Sequence, residues 1–335
     1  MSFLKRCRVE SHIQNIINGL KDYCKRMLAQ AVIRSPLDFN VFLQAPKTIV
    51  EIAEAKNLRN LKLIEIVLEI LANYNILKHI GAKYQWQGYD YKITDNENEF
   101  TNTGPAVAKY NSALAETIHQ VLQGDDNVKI SIPLVALDAF FSSDFVKLII
   151  NQAIALINEL FPSSRNREVI IDLFGGTGWS TIYLAEEFRP KKIYALEPRD
   201  RRFTQIAQEN VNIVLEDSLA TSIEFLSTPL TESPIREKVD LIFGFEPFQW
   251  TVPSDWLQLV ERINSLLKED GCVFGFQLMR NQNIKGALAV EPVWAVLQQF
   301  TQLPTVEGIN SILIEGGFIK PTPSLLCSSF FFAQK

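Results

Sequence analysis

Ile171-Asp172-Leu173-Phe174-Gly175-Gly176-Thr177-Gly178-Trp179 is the stretch that decides the fold. The run EVIIDLF (168–174) is apolar and β-branched and reads as a buried strand. It breaks at Gly175, Gly176 and Gly178, just before the helical pattern STIYLAEEF (180–188). Glycines allow a tight turn and a close approach of backbone to a ligand, and the helix behind them offers free amides.

Outward from that turn the alternation continues. KKIYALE (191–197), VNIVLE (211–216), VDLIFGF (239–245) and GCVFGFQL (271–278) read as further strands. RFTQIAQEN (202–210) and SDWLQLVERINSLLKEDG (254–271) read as helices between them. In the last, Ser254 is the expected cap and Gly271 the stop, with Leu257, Val260, Ile263 and Leu267 on one face. Such alternation predicts a mostly parallel sheet with helices on both faces. Its ligands bind at the carboxyl ends of the strands, near the switch in strand order.

The strand ends carry acids. Ala195-Leu196-Glu197-Pro198 puts Glu197 25 positions after Asp172, where an acid accepts hydrogen bonds from ribose hydroxyls. Leu215-Glu216-Asp217-Ser218 is expected at the third strand end, with a carboxylate for an exocyclic amine such as adenine's. A dinucleotide site wants a third glycine in G-x-G-x-x-G, but Trp179, Ser180 and Thr181 follow Gly178. No Lys or Arg lies between Asp172 and Arg189, so a phosphate-binding lysine is missing too. A cofactor with a nucleoside but no phosphate fits these residues better.

The first hundred residues differ. Thr48 with Glu51 three positions on is a capping-box pattern ahead of IVEIAEA. A helix from about Leu61 to Tyr74 is polar only along Lys62, Glu65, Glu69 and Asn73, so most of its surface must be covered. ILKHIGAKYQWQGYDYKI (76–93) gives two β-rich runs around Gly81 and Gly88. Helix, turn, helix and hairpin describe a winged-helix-like module, for DNA binding or as a dimerisation or lid module. Residues 1–100 carry 14 Lys+Arg against 11 Asp+Glu, too balanced for a phosphate backbone. TDNENEFTNTGPA (94–106) reads as a linker, and 107–162 as helices that include the aromatics Phe140, Phe141 and Phe145.

Composition narrows the classes further. The 335 residues are 47% hydrophobic and 21% charged, a profile that excludes a disordered or collagen-like chain and suggests about two domains. The net charge of −5 argues against a general nucleic-acid binder. Four scattered cysteines with no C-x-x-C pair fit a reducing cytoplasm, and no window is apolar enough for a membrane span. The three histidines end at His119, which leaves the later two thirds no local histidine base or histidine-rich metal site.

Four ordered motifs, IIDLFGGTG, YALEP, LEDS and VDLIFGFEP, resemble those of the class I S-adenosylmethionine-dependent methyltransferases over about residues 168–335. The tail INSILIEGGFIKPTPSLLCSSFFFAQK (309–335) looks like that family's closing helix, turn and antiparallel hairpin. The N-terminal pattern is similar to small-molecule O-methyltransferases that dimerise through a winged-helix domain. The resemblance implies an α/β fold: a Rossmann-like methyltransferase domain with a mostly parallel seven-stranded sheet and a C-terminal antiparallel hairpin (166–335). Ahead of it would stand a winged-helix-like dimerisation domain (1–100) and a helical linker contributing to the substrate pocket (101–165).

The resemblance also implies roles. S-adenosyl-L-methionine would bind with its methionine part on Gly175, Gly176 and Gly178, with Asp172 orienting the loop and the amino group. Glu197 would hold the ribose, Asp217 and Ser218 would flank the adenine, and Thr177, Pro198 and Phe245 complete the expected cofactor set. Phe174 stands where many members have a first glycine. The family's histidine base falls near Gln249, which cannot take a proton, so Glu246 on the same loop is the natural substitute and His119 a distant second. An acceptor that needs no base, or a non-methylating cofactor binder, are the other readings. Trp179 and Trp250 could flank a planar acceptor, and Gly244-Phe245-Glu246-Pro247-Phe248 loosely matches an amino-methylating loop. The implied protein is a cytoplasmic homodimer acting on a small molecule, with neither nucleic acid nor membrane as partner.

Overall fold

A computed structural model of the chain describes residues 43–59, 61–73, 77–87, 120, 134–161, 167–277, 279, 304–319, 322–323 and 330–335. They fall into two compact units, one ending at residue 136, the other built from 137–281 and 304–335. The expected linker at 94–106, Gly88 and His119 lie outside the described residues.

In the first unit, strand β1 (Lys47–Thr48) leads into α1 (Ile49–Lys56) through the capping box that the sequence predicts. The Thr48 amide donates to the Glu51 carboxylate at 2.6 Å, and the Glu51 amide donates to Thr48 Oγ1 at 3.2 Å. Helix α2 (Leu61–Asn73) buries Ile64, Val67, Leu68 and Leu71, at the spacing of one helix face, while Glu65 stays exposed. Strands β2 (Leu77–Ile80) and β3 (Lys83–Trp86) form an antiparallel hairpin on either side of Gly81, whose φ of +59° the turn requires. The sheet order is β1-β3-β2.

The second unit begins within α3 (Leu134–Phe141) and continues through α4 (Asp144–Leu160), capped by Ser143. Strands and helices then alternate: β4 (Val169–Leu173), α5 (Trp179–Phe188), β5 (Lys192–Leu196), α6 (Arg201–Val214), the single-turn α7 (Asp217–Ala220) and β6 (Ile223–Leu226). After them come β7 (Val239–Phe245), α8 (Trp256–Leu266), β8 (Leu267–Phe276), α9 (Val306–Glu315), β9 (Thr322–Pro323) and β10 (Phe330–Gln334). The seven strands lie in the order β6-β5-β4-β7-β8-β10-β9. β4, β5, β6, β7 and β8 run parallel, and β10 pairs antiparallel with β8 and β9. This is the expected sheet with its C-terminal antiparallel hairpin.

All seven residues of β7 are buried, as a strand with helices on both faces must be. Strands β7, β8 and β10 contribute Phe243, Phe274 and Phe331 to the centre, at 1% exposure or less. The chain leaves β4 toward β5 on one side and returns to β7 on the other. The switch point is therefore the carboxyl end of β4 and β7, with Leu173 paired to Gly244.

Three sequence expectations are corrected here. VNIVLE is not a strand: Val211 to Val214 are the last residues of α6. The third strand of the parallel set is IEFL (223–226), which follows α7. SDWLQLVERINSLLKEDG is helical only from Trp256, behind a 3-10 turn at Pro253–Asp255, and the Ser254 hydroxyl bonds to the Asp255 carboxylate instead of capping. Gly271 does not end that helix. Leu267 already pairs with Val239, and Gly271 sits in β8 beside an irregularity that brings Cys272 opposite Leu241.

Candidate functional site

The site grows from the end of β4. Phe174 takes a left-handed φ of +60°, unusual for a residue with a side chain, and its amide donates to Leu196 O at 2.8 Å. Gly178 starts α5 at φ +89°, and a β-carbon there would lie 2.9 Å from the Ala207 β-carbon. The turn therefore lies directly against α6. Gly176 faces the other way: a β-carbon on it would meet the Phe141 ring at 3.3 Å.

Asp172, the next-to-last residue of β4, is fully buried. Its Oδ2 accepts from Thr181 Oγ1 at 2.6 Å and from Ser180 Oγ at 2.7 Å, tying the strand to the first turn of α5. Among the described residues nothing donates to Asp172 Oδ1. Burial raises this carboxyl to about 6, against the pull of the Thr181 and Ser180 hydroxyls and with a further push from the Glu197 charge.

A folded value of about 6 above an ordinary 3.8 fixes the sign of its linkage. Between those values the folded chain keeps a proton that the unfolded chain has lost. Stability therefore falls as pH rises through that window, by about 3 kcal/mol at 1.36 kcal/mol per unit. Asp172→Asn is expected to flatten the slope of the urea midpoint between pH 4 and 7, since an amide oxygen still accepts from both hydroxyls. An unchanged slope in the variant would remove Asp172 as its source.

Glu197 follows β5 and is 3% exposed. Its Oε2 accepts the Gly176 amide at 2.9 Å, so the acid and the glycine turn are physically joined across two strand ends. Arg199 closes over the same carboxylate. Its amide and Nε donate to Oε1 at 3.2 and 2.5 Å, and Nη2 donates to Oε2. The Arg199 guanidinium stacks on Trp250 at 4.0 Å from the ring centroid.

Arg199 and Trp250 border a cavity of about 410 Å³, lined also by Phe174, Pro198, Leu230 and Leu259. The lining comes from the carboxyl ends of β4 and β5, the segments after β6 and β7, and the start of α8, within the size range of small-molecule sites.

At the end of β7, Phe245 packs its ring 5.1 Å from Phe276 and 6.1 Å from Phe141. Glu246 has φ +57°, is 1% exposed and donates its amide to Phe276 O. Gln249 is 3% exposed, and its Oε1 accepts from Gln277 Nε2 at 3.2 Å, while Gln277 Oε1 accepts the Phe248 amide. Thr177 is fully buried, with its carbonyl accepting from Asn210 Nδ2 at 2.9 Å. Asp172, Gly175, Gly176, Thr177, Gly178, Glu197, Pro198, Phe245, Glu246 and Gln249 thus all stand at the carboxyl edge of the sheet.

Asp217 and Ser218 do not. They open α7, exposed, ahead of the amino end of β6. The adjoining Glu216 pairs with Arg189 at 3.2 Å, and Ser222 O accepts the Ile193 amide, both markers of the edge where β5 begins. An adenine role for Asp217 and Ser218 is therefore corrected: they lie at the opposite edge from the glycine turn. Trp179 is also a framework residue, donating Nε1 to Asp138 Oδ1 at 3.0 Å, an oxygen that Asn210 Nδ2 shares. The reading of the sequence missed Arg199, Ser180, Thr181 and Asp138. Arg199 had a signal, since two residues along an extended segment return a side chain to the same side as Glu197.

No protein-family model matches this sequence, and no curated protein sequence matches it. Solved structures do match. A carbon methyltransferase, CurJ, aligns with TM-score 0.60 at 17% identity over 99% of this chain and 93% of its own. A protein of Nostoc punctiforme described as a candidate O-methyltransferase aligns at 0.55 and 16%, over 95% and 98%. Human N-acetylserotonin methyltransferase, in complex with SAM, aligns at 0.50 and 14%, over 96% of each chain.

The chain has the class I methyltransferase fold. At these identities the likeness establishes the architecture. Within that methyltransferase fold, the glycine turn, Asp172 and Glu197 occupy the carboxyl edge of its first two strands in sequence, β4 and β5. No helix among the described residues is long and apolar enough to cross a membrane, and none of their His, Cys, Asp and Glu side chains cluster as a metal site would need.

Proposed function

We propose that this protein transfers the methyl group of S-adenosylmethionine to an oxygen of a small-molecule acceptor. The observation that carries the reading is the contact between the glycine turn and the acid after the next strand, Gly176 N–H to Glu197 Oε2. It puts a ribose-type acceptor beside a backbone that can be approached closely, with no cation on the turn to hold a pyrophosphate.

The residues fit the cofactor. Glu197 would accept the ribose hydroxyls. Asp172 Oδ1, buried with no donor among the described residues, would accept from the amino group. Pro198, Leu230 and Trp250 would give the apolar walls for the base, and Phe245 with Phe141 would close the methyl-bearing end against water. When bound, the cofactor supplies an electrophilic methyl on a sulfonium, so the protein has to align an acceptor and receive its proton. Gln249, an amide tied to Gln277, cannot receive it. Glu246, the carboxylate of the same loop, is the proposed base.

A carbon acceptor is the second reading, favoured by the match to a carbon methyltransferase at TM-score 0.60. With the activity go, by resemblance, a homodimer and a cytoplasmic location. Calorimetric titration with S-adenosylmethionine and S-adenosylhomocysteine is the first test, and micromolar binding is the expected result. Labelled cofactor then screens oxygen and carbon acceptors. A folded protein that binds neither compound at millimolar concentration would end this reading.

A further inference from the structure

Glu197 has its full complement of hydrogen bonds, and three of the four come from one residue. A carboxylate offers about four acceptor positions on its two oxygens. Oε1 takes the amide and Nε of Arg199, and Oε2 takes Nη2 of Arg199 and the amide of Gly176. A ribose diol brings two O–H donors and needs two of these positions. The Gly176 bond cannot be given up without opening the glycine turn, whereas the guanidinium bonds belong to a side chain that can swing.

We propose that Arg199 is a built-in competitor for the ribose site, which a nucleoside must displace from Glu197 in order to bind. The inference rests on the nucleoside reading given above. The displaced guanidinium has somewhere to go. It already stacks on Trp250 at 4.0 Å and lies 5.1 Å from the Phe203 ring centroid, and Glu232 and Asp255 line the same cavity as alternative anionic partners.

The arrangement has a physical reason. Glu197 is 3% exposed, and a buried carboxylate without a partner is costly. Arg199 compensates that charge, and the diol donors take over when they arrive. One contact thus stabilises the fold and weakens ligand affinity. A side chain with a purely structural part, or one that clamps the nucleoside, would not couple those two effects with opposite sign.

The test is Arg199→Met in the full chain, titrated with S-adenosylhomocysteine, which lacks the sulfonium charge, so that relief of repulsion does not mimic the effect. Occupation of the site by Arg199 multiplies the affinity by the competent fraction, so with about a tenth or less of the molecules competent the variant is expected to bind about tenfold tighter or better. Its melting temperature should fall at the same time. Adenosine should show the same gain, and 2′,3′-dideoxyadenosine, with no diol, should show none.

Arg199→Lys keeps the charge without the two-pronged geometry and is expected to gain about threefold, which keeps the question open to experiment if the Met variant does not fold. A wild type that binds S-adenosylhomocysteine, with variants that bind it equally or more weakly, overturns the competitor and leaves the methyltransferase reading standing. Equal gains for adenosine and dideoxyadenosine overturn it too. Failure of wild type and both folded variants to bind any of the three nucleosides overturns both readings.

Discussion

Glu197→Ala is expected to weaken S-adenosylhomocysteine binding by about tenfold or more. Two hydroxyl donors on an ionised acceptor contribute about 1.5–3 kcal/mol each, so losing both costs at least about 3 kcal/mol, and the end of competition by Arg199 returns about 1.4 kcal/mol of it, or tenfold. The variant also frees Arg199 and leaves the Gly176 amide without its acceptor, which loosens the turn. Glu197→Gln separates these effects. It keeps a carbonyl oxygen for Gly176 and for one hydroxyl while loosening the Arg199 pairing, and a smaller loss of about threefold is expected. Combining Glu197→Ala with Arg199→Met should not restore binding, because the competitor is then gone but so is the acceptor. Calorimetry supplies the affinities, and circular dichroism with urea unfolding shows that each variant is folded. An affinity for Glu197→Ala within about threefold of wild type would mean that the ribose is not held here.

The sequence revealed most where burial on both faces writes itself as an unbroken apolar run. β4, β5 and β7 are such runs, and each lies where the sequence predicts. The third strand was misplaced for a reason visible in burial. Val211, Ile213, Val214 and Leu215 look like a strand by composition. Yet Ala207, Val211 and Leu215 are the buried ones, four residues apart, while Ile213 is 80% exposed and Val214 43%. The segment is the end of an amphipathic helix whose solvent face happens to be β-branched, and spacing outranks composition there. That single misreading moved Asp217 and Ser218 from one edge of the sheet to the other.

Other parts of the site were illegible for a different reason. The ring that lies nearest the Arg199 guanidinium comes from Trp250, 51 positions on, and the oxygen that holds Trp179 comes from Asp138, 41 positions back. Pairings at such separations are decided by the sheet order, which a strand list does not contain. The cap at Thr48, set by residues three positions apart, was legible in full. So was the meeting of Gly176 with Glu197 in outline, because both belong to neighbouring strand ends in a β-α-β unit.

Gly178→Val is expected to be the most destabilising single change at the site. Its φ of +89° lies in a region that L side chains rarely adopt, which costs about 1–3 kcal/mol without any contact. Contact adds to that. Already the first carbon would meet the Ala207 β-carbon at 2.9 Å, its α-carbon at 3.0 Å and its carbonyl oxygen at 3.1 Å. Two of those three atoms are backbone of α6, which cannot rotate away, so the helices must part, at about 1–3 kcal/mol for overpacking. A total of about 4 kcal/mol is expected for Val and about 3 kcal/mol for Ala by the same two effects. Gly81→Ala separates them, since that glycine has a left-handed φ of +59° but nothing within 4 Å of the added carbon. It should cost no more than about 1–2 kcal/mol. Urea unfolding followed by tryptophan fluorescence and by circular dichroism measures all three variants. The functional consequence follows from the same geometry. Parting α5 from α6 shifts the turn that carries Gly176, and with it the amide that orients Glu197. Gly178→Ala protein that remains folded should therefore bind S-adenosylhomocysteine at least about tenfold more weakly, at 1.4 kcal/mol per decade for the lost charge-assisted bond. A stable Gly178→Val variant with unchanged affinity would show that α6 yields there and that the turn is not held by its contact with Ala207.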